Sequence, residues 1–139
     1  MKKRLFTYFG LAVVTLLVTG IVSAAAPMPT TTITLVQGLP SVMNVGDTYT
    51  VVVHVESDQK FISATALPSF QYAGKGVVAV QGGDRTGRGT SATLEVTYLA
   101  KGPTTKMPNG IAPVHTVVGV RYGGGYVAVQ DYVFYVTVP

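Results

Sequence analysis

The stretch that decides the fold is residues 49–56, Tyr-Thr-Val-Val-Val-His-Val-Glu, in which every second side chain belongs to one apolar row. A period of two is typical of a β-strand with one buried face and one exposed face. Residues 92–98, Ala-Thr-Leu-Glu-Val-Thr-Tyr, repeat the pattern as clearly. Both segments are predicted to be half-buried strands that share one core.

Five more segments favour strands, and no segment of ten residues has the apolar spacing of a helix. These strands are predicted around Ile33 and Leu35 and over residues 61–67, 76–81, 114–122 and 126–138. Asn44–Asp47 and Gly123–Gly125 have the composition of tight turns. Short strands at this spacing indicate an all-β fold, a sandwich of two antiparallel sheets with about seven strands.

The last predicted strand contains a change of parity. Val127 and Val129 occupy odd positions, whereas Tyr132, Phe134, Val136 and Val138 occupy even ones. Because a change of parity moves side chains to the other face unless a residue is inserted, a β-bulge is predicted at Gln130-Asp131.

The segment Val45-Gly46-Asp47-Thr48-Tyr49-Thr50-Val51 resembles the start of the second strand in bacterial exported immunoglobulin-like domains. The resemblance implies a sandwich fold and no particular activity. The chain has no Cys and no Trp, so the inter-sheet disulfide and core Trp of antibody domains are absent. Packing must then hold the sheets together, and we expect Tyr49, Tyr98 and Phe134 in the core with the valine rows.

The N-terminus has the pattern of a secretory signal peptide. Three basic residues at 2–4 precede an apolar run from Leu5 to Val22, and small residues follow at 23–26. We expect a signal peptide over residues 1–25, an immunoglobulin-like domain over residues 26–139, and export to the periplasm, cell surface or medium. Cleavage would leave no stable membrane insertion; the alternative is a retained N-terminal anchor.

Composition excludes several classes of function. The formal charge is +4, but three of the ten basic residues lie at positions 2–4, which leaves seven against six acidic residues. Nucleic-acid binding needs a clustered basic surface, so nucleic acid is not an expected partner. The absence of Cys excludes disulfides, thiol nucleophiles and Cys-ligated zinc.

No catalytic or metal-binding motif emerges from the sequence. His54 and His115 fall on outward strand faces, without a Gly-x-Ser-x-Gly elbow or a His-Glu-x-x-His helix. Glu56-Ser57-Asp58 is a weak Ca²⁺ candidate and more typical of a solvated strand end. A non-enzymatic protein with no catalytic residues, metal or cofactor is therefore predicted.

One end of the sandwich is the predicted binding site. In a seven-strand sandwich, the second–third, fourth–fifth and sixth–seventh connections cluster, here Ser57–Lys60, Gly82–Thr90 and Gly123–Gly125. Arginine and tyrosine are common at recognition surfaces. The candidate residues for binding a protein or cell-envelope ligand are Asp84, Arg85, Arg88, Arg121, Tyr122 and Tyr126.

Three functions are compatible with these observations. The first is a binding, adhesion or cell-envelope module. The second is protease inhibition, because two segments are similar to loops of the chagasin-type cysteine protease inhibitors, namely Gly87-Arg88-Gly89-Thr90 and Arg121-Tyr122. The third loop of that family, Asn-Pro-Thr-Thr-Gly, is missing, and Ser57–Lys60 stands in its place. The third is a subunit of an extracellular filament or layer that self-associates through sheet edges, with Thr30–Val36 as the pairing strand.

Overall fold

The computed structural model describes residues 13–16 as backbone, together with residues 27–69 and 76–139. These residues contain eight strands: β1 Val13–Leu16, β2 Thr31–Gln37, β3 Thr48–Pro68, β4 Val77–Ala79, β5 Asp84–Thr86, β6 Gly89–Ala100, β7 Ala112–Tyr122 and β8 Val127–Val136. A 3-10 turn at Pro108–Gly110 precedes β7. The described residues contain no helix of the length and apolarity needed to cross a bilayer.

The strands form two antiparallel sheets that share β3. The first half of β3 pairs with β2 on one side and β6 on the other, and β4 extends the sheet beyond β6. The second half pairs with β5 and β7, and β8 extends that sheet beyond β7. With β3 counted as two strands and β5 set aside as an additional short edge strand, this is the ABED and CFG order of immunoglobulin constant domains. The predicted all-β sandwich is confirmed; β1 adds a strand at the outer edge of β2.

The expected loop at Ser57–Lys60 is instead part of β3. The register of β3 on its partners shifts between Glu56 and Phe61 while the backbone stays extended. No Gly or Pro interrupts this segment, and a strand can pass from one sheet to the other through a bend. The prediction of two separate strands there was wrong in this respect.

The core lies between the sheets and is lined by the predicted alternating rows. Tyr98 and Phe134 are buried with the valines of β3, β6, β7 and β8, as expected, whereas Tyr49 is 37% exposed and is not a core residue. The Tyr98 hydroxyl contacts Thr116 Oγ1 at 2.7 Å, and the Tyr132 hydroxyl donates to the Ile33 carbonyl at 3.3 Å. Hydrogen bonds therefore cross the core, and burial raises the pKa of both tyrosines.

The predicted bulge at Gln130-Asp131 is absent. β7 and β8 pair without interruption from Ala112 opposite Val136 to Arg121 opposite Val127. Ala128 faces the core, whereas Val127 and Val129 face outward and are 42% and 50% exposed. The error came from assigning the two valines to the buried row.

The two predicted turns form as expected. Asn44 N donates to Asp47 Oδ2 at 3.0 Å, and Gly46 between them has a φ of 95°. At the β7–β8 hairpin tip, Gly124 and Gly125 have φ values of 89° and 91°, a conformation that favours glycine. The predicted signal-peptide boundary at residue 25 lies outside the described residues.

Candidate binding surface

The two outer faces of the sandwich differ in chemistry. On the first sheet, the outward positions of β2, β3 and β6 are mostly Thr, Ser, His and Glu. On the second sheet, the outward positions of β3, β7 and β8 include Leu, Val, Gly and Tyr. More of the large exposed apolar side chains lie on the second of these faces, which we call the outer face of the second sheet, than on the first, where Val36 is 61% exposed.

Strand register fixes the layout of this face. Residues opposite each other in an antiparallel pair lie on the same side of the sheet. Arg85 lies opposite Thr65, Thr65 opposite Gly119, and Gly119 opposite Val129. At about 4.8 Å per strand, this row runs about 14 Å across the sheet. Gly119 contributes no side chain to this row, and the Thr65 hydroxyl donates to its carbonyl at 3.4 Å.

Apolar side chains continue on both sides of that row. Towards the hairpin tip, Val127 lies opposite Arg121, and towards the other end Leu67 lies opposite Val117. Leu67 is 48% exposed, and Tyr135, further along β8, is 57% exposed. His115 and Asp131 lie between these positions, because Asp131 is opposite Val117 and His115 is opposite Val133, so the face combines exposed apolar side chains with one polar pair. Exposed apolar side chains on one sheet face are typical of a surface that contacts another molecule.

The outer face of the first sheet is a hydrogen-bonded polar network. The His54 ring bridges Thr93 Oγ1 and Glu56 Oε1, at 3.1 Å to each. Thr50 and Thr97 hydroxyls meet at 2.9 Å one row further along. These side chains form hydrogen bonds with one another on the solvent-facing side of the sheet, which explains their presence without a ligand.

Two of the six predicted site residues lie on the outer face of the second sheet. Arg85 and Arg121 are both exposed, and β5 and β7 place them on the two sides of β3. They share this surface because Asp84–Thr86 forms a strand, whereas the whole of Gly82–Thr90 was expected to be a loop. That expectation is corrected by the pairing of β5 with β3.

Tyr122 does not belong to an exposed site. It is 5% exposed, and its hydroxyl contacts Thr31 Oγ1 at 2.5 Å and donates to Ser57 Oγ at 2.8 Å. It continues the inward row of Val118 and Val120 on β7. The expectation of an accessible Tyr122 beside the hairpin tip was wrong, and its contacts join the two sheets.

The other three predicted residues have different positions. Asp84 anchors β5, since its carboxylate accepts hydrogen bonds from the backbone N–H of Arg85 at 2.9 Å and of Glu95 at 3.2 Å. Arg88 is exposed in the turn between β5 and β6. Tyr126 is half-buried and packs against the core. These residues do not form one cluster with Arg85 and Arg121.

The exposed residues of the outer face were missed by the sequence analysis. They are Leu67, Val127, Val129 and Tyr135. The sequence does indicate that the two valines face outward, because they occupy odd positions whereas the buried row of β8 occupies even ones. This change of parity was interpreted as a bulge when it marked outward-facing apolar residues.

Both histidines and most of the acidic side chains make hydrogen bonds within the protein. Asp58 Oδ1 accepts a hydrogen bond from Thr30 N at 2.8 Å, and the His115 ring contacts Asp131 Oδ2 at 2.9 Å. Within residues 27–69 and 76–139, no three His, Asp or Glu side chains come together as a metal site.

Comparison with known proteins adds no assignment to this geometry. No protein-family model matches the chain, and no curated protein is significantly similar to it in sequence. The class defined by the structure is a two-sheet antiparallel sandwich with immunoglobulin-like strand order.

Proposed function

We propose that the protein is an exported, non-enzymatic immunoglobulin-like module that binds a protein or cell-envelope partner through the outer face of its second sheet. The observation that carries the proposal is the difference between the two outer faces. One is a satisfied polar network around His54, and the other exposes Leu67, Val127 and Val129. Both surfaces are solvent-facing sides of the same sandwich, so folding alone does not require one to be polar and the other to carry exposed apolar side chains.

The chemistry of the face defines the kind of partner. Apolar area at the centre favours an apolar partner surface, and Arg85 and Arg121 supply planar donors for carboxylates at the rim. Gly119 contributes no side chain between Thr65 and Val129, so the row is lowest at this position. A partner with an apolar patch flanked by acidic groups fits this arrangement.

Site-specific photo-crosslinking in the producing cells tests the proposal. A photoreactive residue at Val129 reports on the outer face of the second sheet, and one at Thr93 serves as the matched control on the first sheet. We expect an adduct of defined mass from position 129 alone, and Val127→Asp should reduce its yield at least about tenfold. Equal adducts from both positions, or an adduct only from position 93, would contradict the proposal.

Protease inhibition is a second proposal with its own test. The turn at Gly87 and Arg88 and the tip at Gly123–Gly125 lie at the same end of the sandwich, because Gly89 and Tyr122 both lie opposite Phe61. Titration of the purified domain against a papain-like cysteine protease measures it directly. Stoichiometric inhibition that is lost in Arg88→Ala would support this function over binding through the sheet face.

A further inference from the structure

The edges of the described sheets differ in how well they are protected. β4 and β5 are only three residues long, and short edge strands offer little to pair with. β8 is the ten-residue edge strand of the second sheet, and its exposed Asp131 is a charge of the kind that disfavours pairing between chains; beyond its end, Val42 and Thr137 form a parallel bridge. The edge of β2 is seven residues long, and β1 is the strand that covers it.

The pairing of β1 shows what this edge accepts. β1 lies antiparallel to β2, with Val13 opposite Thr34 and Leu16 opposite Thr31. The Ile33 carbonyl accepts a hydrogen bond from the Tyr132 hydroxyl of β8. That carbonyl therefore points away from β3, and backbone groups at alternate residues of β2 are directed to the outer edge.

The edge lacks the usual features that prevent pairing between chains. Natural edge strands carry Lys, Pro or inward-pointing charges. Residues 31–36, Thr-Thr-Ile-Thr-Leu-Val, contain none of these. Pro29 precedes the strand, and an irregularity between Leu35 and Gln37 ends its regular pairing. A segment of five residues, Thr31–Leu35, is left as a regular edge.

We propose that removal of the leader uncovers this edge and that β2 then pairs antiparallel with β2 of a second copy. In the unprocessed chain, residues 13–16 act as an edge cap. The uncovering step rests on the export and cleavage of the proposed function, whereas the pairing step concerns the domain itself. Cleavage thereby changes a protected chain into one competent for association.

A second copy fits the edge because antiparallel pairing of β2 with itself is self-complementary. Each residue of the strand lies opposite another uncharged residue of the same strand in the second copy, so no charge repulsion arises between them. Thr32 and Thr34 face outward on the first sheet and allow cross-strand hydroxyl contacts. A two-fold contact of this type closes as a dimer and does not continue into a fibre.

The test uses the chain from Ala25 to Pro139, which contains every buried core residue described, from Ile33 to Val138. Analytical ultracentrifugation over a concentration series measures association of three proteins. These are the unchanged chain, Thr32→Lys with Thr34→Lys, and Ser91→Lys with Thr93→Lys. The last pair adds the same charge to the same outer face, but on β6, two strands away from the edge.

Hydrogen exchange provides a second measurement that does not depend on the variants. We expect a dimer of the unchanged chain, a dissociation constant raised at least about tenfold by the Thr32 and Thr34 pair, and no comparable effect of the β6 pair. The amides of Thr31 and Ile33 should become protected as concentration rises. In the unprocessed chain in mild detergent, they should be protected at every concentration.

The outcomes separate the two steps of the proposal. A processed chain that stays monomeric, with Thr31 and Ile33 amides unprotected at the highest concentration, overturns the pairing. Equal loss of association in both Lys pairs also overturns it. Fast exchange of these amides in the unprocessed chain overturns the edge cap. Retention of the leader in cells, detected by intact mass, contradicts the export proposal. In that case the ultracentrifugation of residues 25–139 still decides whether β2 pairs with a second copy.

Discussion

Replacement of Tyr122 by Phe removes one hydroxyl from the contact between the two sheets and leaves the ring in place. That hydroxyl contacts Thr31 Oγ1 on β2 and donates to Ser57 Oγ where β3 leaves the first sheet. Thr31 is 1% exposed, so its hydroxyl loses a partner without access to water. Ser57 is half-buried and still accepts a hydrogen bond from Gln59 N. Most of the destabilisation should therefore arise at Thr31.

The expected loss of unfolding free energy is about 2 kcal/mol, within the range of about 1–3 kcal/mol for leaving a buried polar group unpaired. Urea unfolding, followed by circular dichroism because the chain has no Trp, measures the change. Thr31→Val removes the orphaned hydroxyl, so the double variant should be more stable than the sum of the two single effects implies, by about 1 kcal/mol. Tyr126→Phe is the control: Tyr126 is half-buried, and no hydrogen bond of its hydroxyl is seen among the described residues. A loss below about 0.5 kcal/mol for Tyr122→Phe, or strict additivity with Thr31→Val, would refute the reasoning.

Three further perturbations test the core, the position of β5 and the pH dependence. Leu94→Ala should reduce the free energy of unfolding by about 2–5 kcal/mol in urea titration, since Leu94 is fully buried between the sheets; a loss below about 1 kcal/mol would contradict its central position. Gly83→Ala should release β5 from β3, because the new Cβ would lie 2.1 Å from the Ala66 carbonyl oxygen. The Arg85 N–H donates to Asp84 Oδ1, so Asp84 and Thr86 are the β5 residues that face β3; faster exchange of their amides would show the release, and unchanged exchange would contradict it. Burial raises the pKa of Tyr98 above its ordinary value of 10.0, so the unfolded chain releases this proton first as pH rises. The resulting stabilisation is complete below pH 10.0 and is lost as pH rises above it. The free energy of unfolding should therefore fall more steeply above this pH in the unchanged chain than in Tyr98→Phe. Equal slopes in the two proteins would contradict the assignment.

The sequence was sufficient to predict the strands with strict alternation and one buried face. β3 and β6 satisfy this condition, and Val53 and Leu94, opposite each other, are both buried as their parity requires. A period of two reports the face of each residue within one strand, but not which strands are neighbours. The long β3 therefore appeared as two strands, since pairing with two different sheets leaves no mark in its local pattern.

The candidate surface was less predictable because it depends on register across four strands. Arg85, Thr65, Gly119 and Val129 come from separate parts of the chain, and only the pairing of β5, β3, β7 and β8 aligns them. Tyr122 shows the opposite case. Its even position on β7, in the row of Val118 and Val120, already indicates burial. Its nearness to three glycines at the hairpin tip outweighed that signal in the sequence analysis.

The two proposed surfaces are geometrically compatible with each other. The edge of β2 belongs to the first sheet, whereas Arg85, Gly119 and Val129 lie on the outer face of the second. Pairing through β2 would therefore leave the outer face of the second sheet uncovered in both copies. A dimer would present two such faces, so that a second contact with a repetitive partner becomes intramolecular and raises the apparent affinity without new contacts. Because a weak contact gains most from such an arrangement, Thr32→Lys with Thr34→Lys should reduce retention on an immobilised repetitive partner while leaving single-site binding through Val129 unchanged.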